Sequence, residues 1–200
     1  NNMTTITAAQ IAEFRAKTGL PMMECKSALI EAGGDAEKAL EIMKKRGATK
    51  ALKKAERETK SGLIESYVHP GGKIGVIVEV LTETDFVAKN DEFKEFVHDV
   101  ALHIAATNPK YISKKEVPEE EKNKERNIYS DQVKKEGKPD KIVEKIVEGK
   151  LESYYEEICL LSQPFVKDQS LKIEDLLNQK ISKIGENIVI SRFSRFEIGL

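Results

Sequence analysis

An acidic residue and an aromatic residue stand side by side just after a strongly apolar stretch of this chain. The run IGVIVEV ends at Val80, and the next segment, TETDFVAKND, places Asp85 beside Phe86. A carboxylate in such a connection can cap the following turn or bind a partner. A large ring there is either a buried staple or the anchor of an interface. From the residues alone, both interpretations of Phe86 stay open.

The three histidines do not form a pattern typical of a metal centre. His98 and His103 are five residues apart on one predicted helix, so they do not share a face as an i, i+4 metal pair does. His69 belongs to a predicted hairpin. The sequence contains no GxSxG, HExxH or glycine-rich nucleotide motif. We therefore expect no catalytic residues, no metal and no cofactor, and a protein that is not an enzyme.

The elements around these residues begin with three short helices. A capping box at Thr7 and Gln10 begins the first, and Asp35 caps the third, AEKALEIMKKR. The breaks are marked by Gly19, Pro21, the Gly33-Gly34 pair and Gly47. Residues 1–47 are therefore predicted to form a small three-helix module, followed by a charged linker helix over 48–61.

The linker helix is locally basic and carries the alternative function that the residues allow. Its cations are Lys50, Lys53, Lys54, Arg57 and Lys60. A block of charge usually marks a solvated helix face, but such a stripe could also bind RNA. The whole chain has 33 Lys+Arg against 34 Asp+Glu and a formal charge of −1, which offers no general attraction to nucleic acid or to a membrane.

Residues 62–200 are predicted to form an α+β body. The runs GLIESYVH and KIGVIVEVL flank PGG as a hairpin, and NIVISRFSRFEI supplies a further strand. Alternate residues from Ile74 to Val80 share one face while Ile77 and Leu81 lie on the other, so both faces should be at least partly covered. The expected fold class is α+β, with a small antiparallel sheet packed with helices.

Helical patterns and one polar segment complete the body. Amphipathic helices are predicted to begin near Asn90, Asp140 and Ile173. Asn90 or Asp91 caps the first of them. The segment 116–137 is polar nearly all round, which predicts an exposed helix or arm.

The two cysteines indicate free thiols. Cys25 and Cys159 lie far apart and form no CxxC motif. The chain has no apolar run of membrane-spanning length and no secretory signal pattern. We therefore expect a protein of the reducing cytosol without a membrane partner.

Three stretches of the sequence carry a resemblance to a known family. They are FRAKTGLPMMECKSAL, EVLTETDFVAKN and KIGENIVISRF, in this order, with further similarity in ALHIAATNPKYIS, EGKPDKIVEKIVEGK and QPFVKD. Together they resemble elongation factor Ts, the guanine nucleotide exchange factor for elongation factor Tu, over nearly the whole chain. The sequence departs from the usual pattern at Pro21, Leu81 and Thr82.

The resemblance implies a role for the pair Asp85 and Phe86. In the family, the matching pair enters the nucleotide-binding domain of elongation factor Tu, where the ring wedges between helices near the magnesium and phosphate site. The implied partner is elongation factor Tu, both GDP-bound and nucleotide-free, and the implied exchange loop comprises Thr84, Asp85, Phe86 and Val87. The factor would favour a partner conformation that releases GDP, and nucleotide rebinding would in turn weaken the complex.

Two further contacts are implied. The N-terminal module resembles a ubiquitin-associated domain, and Met22 and Met23 match paired methionines that touch a helix of the partner. Adjacent methionines at a helix start cannot both face inward, and flexible thioethers suit an adaptable contact surface; core filling is the alternative. His103 matches a family histidine associated with partner contact, although it could equally be a satisfied core residue.

The chain resembles the short members of the family, which implies a homodimer. Its body is too small to offer the two-sided surface that long members build from one chain. We expect pairing through sheet faces formed with KIGVIVEV and NIVISRF. The implied setting is the bacterial cytoplasm, with an organelle matrix as the alternative, and no direct contact with nucleic acid.

Overall fold

The computed structural model describes residues 6–135 and 139–199, and it mixes helices with short strands. In chain order the elements are α1 (Ala8–Thr18), α2 (Met22–Glu31), α3 (Ala36–Lys54), β1 (Ser61–Val68), β2 (Ile74–Thr82), α4 (Asp85–Ala88), α5 (Asp91–Thr107), α6 (Glu119–Lys135), α7 (Asp140–Ile158), β3 (Pro164–Phe165), β4 (Asp168–Lys172), α8 (Ile173–Ile184) and β5 (Ile188–Glu197). A short 3-10 turn, Leu160–Ser162, follows α7. This content confirms the α+β class.

The predicted helix caps of the N-terminal segment are confirmed. The Thr7 hydroxyl accepts a hydrogen bond from the Gln10 N–H, and the Gln10 side chain accepts one from the Thr7 N–H at 2.9 Å. Gly19 ends α1 in the left-handed conformation, with φ 65°. The Asp35 carboxylate accepts two backbone N–H groups from the first turn of α3. The starts of α1 and α3 are therefore encoded by residues within one turn of each cap.

The predicted end of the third helix at Gly47 is wrong. The helix α3 continues to Lys54, and Gly47 is buried inside it. A Cβ atom at Gly47 would lie 3.8 Å from the backbone oxygen of Asn178 in α8. The missing side chain allows close approach of two helices and does not end one. The charged segment 48–54 is thus the second half of α3.

The chain forms two compact units. The first consists of the described residues up to 62 together with 81–94 and 175–189, and the second of 63–80, 95–174 and 190 onward. Within the first, the N-terminal helices bury a core of their own, made by Ile11, Phe14, Leu20, Cys25, Ala28, Leu29, Ala39 and Met43. This cluster lies on α1, α2 and α3 and the short α1–α2 connection.

A three-stranded sheet, in the order β1-β2-β5, contributes to the second unit. The predicted hairpin of β1 and β2 is closed by a bond from His69 N to Ile74 O, and β5 runs back along β2, with Ile198 N bonded to Lys73 O. The residues Val76, Val78 and Val80 are buried. On the other face Ile77 is 51% exposed, but its neighbours Glu79 and Leu81 are half-buried. This face is therefore partly covered, as expected, although less than the valine face.

The helix α5 lies on the buried side of this sheet. The Arg195 guanidinium of β5 donates to the Ala105 carbonyl of α5 at 3.1 Å. His98 of α5 bonds the Glu65 carboxylate of β1 at 2.9 Å. Asn90, one of the two predicted caps, accepts the N–H groups of Glu92 and Phe93 and begins this helix.

The polar segment predicted as an arm is one half of a helix pair. Most of α6 is exposed, as expected, but Val133 is fully buried against α7, in a small cluster with Val143, Val147 and Leu151. Near its start, the Glu121 carboxylate accepts hydrogen bonds from Tyr111 at 2.7 Å and Tyr154 at 2.5 Å. The last two residues of the predicted arm, 136 and 137, lie outside the described residues.

Candidate functional site

Phe86 lies on a single helical turn that projects its ring into solvent. The turn, α4, begins three residues after the end of β2, and the Phe86 side chain is 85% exposed. Its neighbour Val87 is 7% exposed, so the turn is attached to the protein through Val87. This arrangement excludes the interpretation of Phe86 as a buried staple. It also places Val87 inside the protein, where it supports the loop and does not present an exposed contact.

Thr84 caps this turn, and Asp85 does not. The Thr84 hydroxyl accepts the Val87 N–H at 3.4 Å, whereas Asp85 is the first residue of α4. Across the described ranges, the exposed carboxylate of Asp85 makes no side-chain hydrogen bond or ion pair. The capping role considered for Asp85 is therefore filled by its neighbour, and the acid is available to a partner.

The loop that carries Asp85 and Phe86 is held by Glu186, which precedes β5. One carboxylate oxygen of Glu186 accepts from the Thr82 hydroxyl at 2.9 Å and from the Thr84 N–H at 3.0 Å. The other oxygen accepts from the Thr84 hydroxyl at 2.7 Å. We call these three residues the Glu186 network. It includes Thr82, one of the positions at which the sequence departs from the family pattern.

The adjacent residues form a second set of bonds between the same two segments. The Glu83 carboxylate accepts the Asn187 N–H at 2.6 Å, and the Arg57 guanidinium lies 3.5 Å from that carboxylate. The Asn187 side-chain amide donates to the Arg57 carbonyl at 2.9 Å. The sequence indicated both stretches as motifs but could not show that TETDFV and KIGEN meet. These bonds make the loop a supported element of the first unit.

Met22 and Met23 are exposed at the start of α2. Their side chains are 52% and 72% exposed, and neither belongs to the core of the N-terminal helices. Cys25, Ala28 and Leu29 fill that core instead. The core-filling interpretation therefore does not describe this pair, and the contact role remains a prediction.

The basic stripe of the predicted linker is partly neutralised within the first unit. Lys50 forms an ion pair with Glu24 at 2.6 Å, and Arg57 pairs with Glu83. The Lys54 ammonium donates to the Gly185 carbonyl. Cations that already have partners offer less to a phosphate backbone than a free stripe would.

His103 lies in the second unit and is fully buried. Its Nδ1 accepts the Val166 N–H at 3.3 Å, so Nε2 carries the proton and donates to the Gln163 side-chain oxygen at 3.0 Å. Burial lowers the pKa of His103, and the hydrogen bond to Gln163 opposes that shift in part. Both ring nitrogens are satisfied internally, so this geometry favours the core role over the partner contact.

Metal-binding clusters and thiols are the further reactive groups considered from the sequence, and the described part of the chain contains only the two thiols of this kind. No group of three or more His, Cys, Asp or Glu residues there could hold a metal ion. Cys25 and Cys159 are free, as predicted, and both are buried. Burial raises the pKa of the Cys159 thiol to about 11.

Among the described residues, no helix combines the length and the apolarity that a membrane span requires.

Comparison with known proteins gives a consistent result. Residues 6–200 match the family described as Elongation factor TS. The chain is 56% identical over 194 residues to the elongation factor Ts of Acetivibrio thermocellus, covering 97% of this chain and 90% of that protein. It is 57% identical to that of Alkaliphilus oremlandii, covering 97% and 89%. It is 55% identical to that of Fervidobacterium nodosum, covering 97% and 98%.

Proposed function

The chain belongs to the elongation factor Ts family, and we propose that it is a guanine nucleotide exchange factor that binds elongation factor Tu and accelerates the release of GDP. The observation that carries this proposal is the 85% exposed ring of Phe86, held on a turn with defined hydrogen bonds. An isolated large apolar side chain on a supported loop has the character of an interface anchor.

The mechanism follows from differential binding. Asp85 and Phe86 enter the nucleotide-binding domain near the magnesium and phosphate site, and they bind best to a conformation in which those contacts are disturbed. GDP then dissociates faster, because the complex with the factor stabilises the state that holds nucleotide weakly. Linkage requires the reverse effect: nucleotide binding weakens the hold of the factor. No covalent step takes place, and the chain is not an enzyme in the usual sense.

The N-terminal module supplies a second contact. We assign residues 1–47 to a ubiquitin-associated-like module that meets the partner through Met22 and Met23. The connection is 48–61, whose first part continues α3, and 62–200 form the exchange and dimerisation domain. The exposure of both thioethers supports this assignment. His103 is not among the proposed partner contacts, because its ring is buried and both ring nitrogens have hydrogen-bond partners within the chain.

The open face of the sheet is the proposed homodimer surface. Ile64 and Ile77 are 63% and 51% exposed there, and they line a groove of about 230 Å³ with Phe193 and the Glu79–Arg192 ion pair. Pairing of two copies through this face would cover apolar area that one chain leaves in water. The proposed setting is the bacterial cytoplasm. The alternative function, RNA binding by the basic helix, has no support from the family relationship.

The test is the release of a fluorescent GDP analogue from elongation factor Tu, with excess unlabelled GDP to prevent rebinding. Addition of this chain should accelerate release in a saturable manner. The released nucleotide should remain chemically unchanged, and the chain alone should not turn over GTP. If the release rate stays at its spontaneous value across factor concentrations from sub-micromolar to tens of micromolar, the proposed function is rejected.

A further inference from the structure

Two separate stretches of sequence meet at the base of the exchange loop. Thr82 and Thr84 belong to the segment after β2, and Glu186 is about a hundred residues further along the chain. All three lie in the first compact unit. The Glu186 side chain is half-buried, so its carboxylate is partly shielded from water at the point where it accepts three hydrogen bonds. Hydrogen bonds to an ionised acceptor are stronger than those between neutral groups.

The bonds form a chain that leads from Glu186 to the turn. The Thr84 hydroxyl donates a hydrogen bond to the Glu186 carboxylate, which leaves the lone pairs of that oxygen to accept from the Val87 N–H. The same carboxylate fixes the Thr84 backbone through its N–H. Thr84 is therefore held on both its main chain and its side chain, and it caps the turn that carries Asp85 and Phe86.

We propose that Glu186 is a positioning residue for nucleotide exchange: through Thr84 it holds the Asp85–Phe86 turn in the conformation that enters the partner. This inference rests on the proposed role of Phe86. It concerns a residue that need not touch the partner, because its effect is carried by the loop that it orients. Thr82 adds a further bond to the same carboxylate in this chain.

The turn needs such support because the Glu83 bonds end one residue before Thr84 and do not reach the turn itself. A helix of four residues has no stability of its own, and the exposed side chains of Asp85 and Phe86 contribute no packing. Burial of Val87 attaches the turn but does not set the direction of the neighbouring ring. A loop that is already ordered before binding avoids the cost of ordering it in the complex. The Glu186 network therefore favours insertion without adding a contact.

A purely structural tie is the competing explanation, and the chain offers a matched control. Glu92 also joins the segments 81–94 and 175–189, through ion pairs with Lys180 at 3.0 Å and Lys183 at 2.8 Å. It makes none of the bonds to residues 82–87. If Glu186 served only to hold the two segments together, removing Glu92 would have the same consequence for exchange.

The experiment measures stimulated GDP release as a function of factor concentration, for Glu186→Ala, Glu186→Gln and Glu92→Ala. For Glu186→Ala we expect the maximal rate to fall about tenfold or more, while the half-saturating concentration stays within about twofold. Glu186→Gln should stay within about threefold of the wild type, since an amide oxygen still accepts from Thr82 and the Thr84 N–H. Glu92→Ala should exchange at the wild-type rate.

The loop variant Phe86→Ala separates this inference from the proposed function. If Phe86→Ala accelerates GDP release as the wild type does, the proposed role of the Phe86 ring is rejected. If Phe86→Ala is slow and Glu186→Ala is normal, only the positioning role fails. In the double variant, the further loss relative to Phe86→Ala should be clearly smaller than the loss that Glu186→Ala causes alone, because Glu186 acts through the turn that carries the ring. A further loss of the same factor in the double variant would show an independent role and overturn the inference.

Thr84→Val covers the case in which Glu186→Ala does not fold. Removing Glu186 leaves the buried Thr82 hydroxyl without its acceptor, which can lower stability. Thr84→Val keeps Glu186 and its bond to Thr82 but interrupts the link to Val87. It should reproduce the loss of maximal rate in a folded protein, and an unchanged maximal rate would contradict the proposal.

Discussion

Phe86 and His103 differ in their exposure to solvent, and this difference assigns them different roles. The family resemblance associates both with partner contact, yet the Phe86 ring is 85% exposed and the His103 ring is fully buried. His103 has a hydrogen-bond partner at each nitrogen, whereas the Phe86 ring has no comparable internal environment. A buried and satisfied polar group supports the fold. A large apolar group left in water contributes little to the free energy of folding. It stabilises a complex when a partner covers it.

The comparison predicts opposite results for substitutions at Phe86 and at His103. The largest expected change is the loss of stimulated GDP release at Phe86. Phe86→Ala should lower stimulated GDP release by roughly thirtyfold or more, since truncating an anchor aromatic costs at least about 2 kcal/mol of interaction. The thermal midpoint should be nearly unchanged. Calorimetry and stopped-flow release on the same sample give both values. A strongly lowered thermal midpoint with normal exchange per folded molecule would show that Phe86 is a core residue and not an interface anchor.

The second effect belongs to the buried histidine. His103→Ala should lower the free energy of unfolding by about 1–3 kcal/mol, because the Val166 N–H loses its acceptor and the Gln163 oxygen loses one of its donors. Exchange per folded molecule should not change. His98→Ala is the control from the same helix: its exposed pair with Glu65 should cost less than about 1 kcal/mol. Normal stability with slow exchange would instead support a contact role for His103.

A smaller effect is expected at the methionine pair of the N-terminal module. Replacing Met22 and Met23 together by Ala should raise the half-saturating concentration for exchange about fivefold, which corresponds to about 1 kcal/mol. The maximal rate should remain close to wild type, since the exchange loop is intact. Leu52→Ala, which removes a 76% exposed side chain from α3, is the control. Equal affinity for all three proteins would contradict a contact at Met22 and Met23.

The smallest expected effect is on the pH dependence of the free energy of unfolding. Burial lowers the pKa of His103 in the folded protein, so the unfolded chain binds this proton more readily. The stability that neutral His103 contributes is complete above the unfolded pKa, about 6.5, and is lost as pH falls towards the lower folded value. Denaturant unfolding from pH 7.5 to 5 should therefore show less acid sensitivity in His103→Gln than in the wild type. An identical pH dependence in both proteins would show that His103 does not titrate in this way.

The features that were predictable from sequence depend on neighbours along the chain. The caps at Thr7 and Asp35, the hairpin at His69 and the amphipathic face of α5 each arise from residues within a few positions. The course of α3 through Gly47 was not predictable, because the backbone that approaches it comes from α8. The short strands β3 and β4, Pro164–Phe165 and Asp168–Lys172, also carried no recognisable alternation.

The site shows the same division between local and distant determinants. The resemblance indicated Asp85 and Phe86, and the structure adds that Thr84 provides the cap. Glu186 was visible within a motif, but its contact with Thr84 joins positions 102 residues apart. Pairing over that distance follows from the strand order and cannot be obtained from spacing or composition.

The most direct measurement follows the environment of the ring itself. A single fluorine-labelled phenylalanine at position 86 gives one fluorine NMR signal, whose shift between H₂O and D₂O reports contact with solvent. In the free chain the signal should show full solvent exposure, and in the complex with nucleotide-free elongation factor Tu it should become protected. GDP added in excess should restore the exposed signal as the complex dissociates. A ring that stays solvent-exposed in a complex active in exchange would contradict the account.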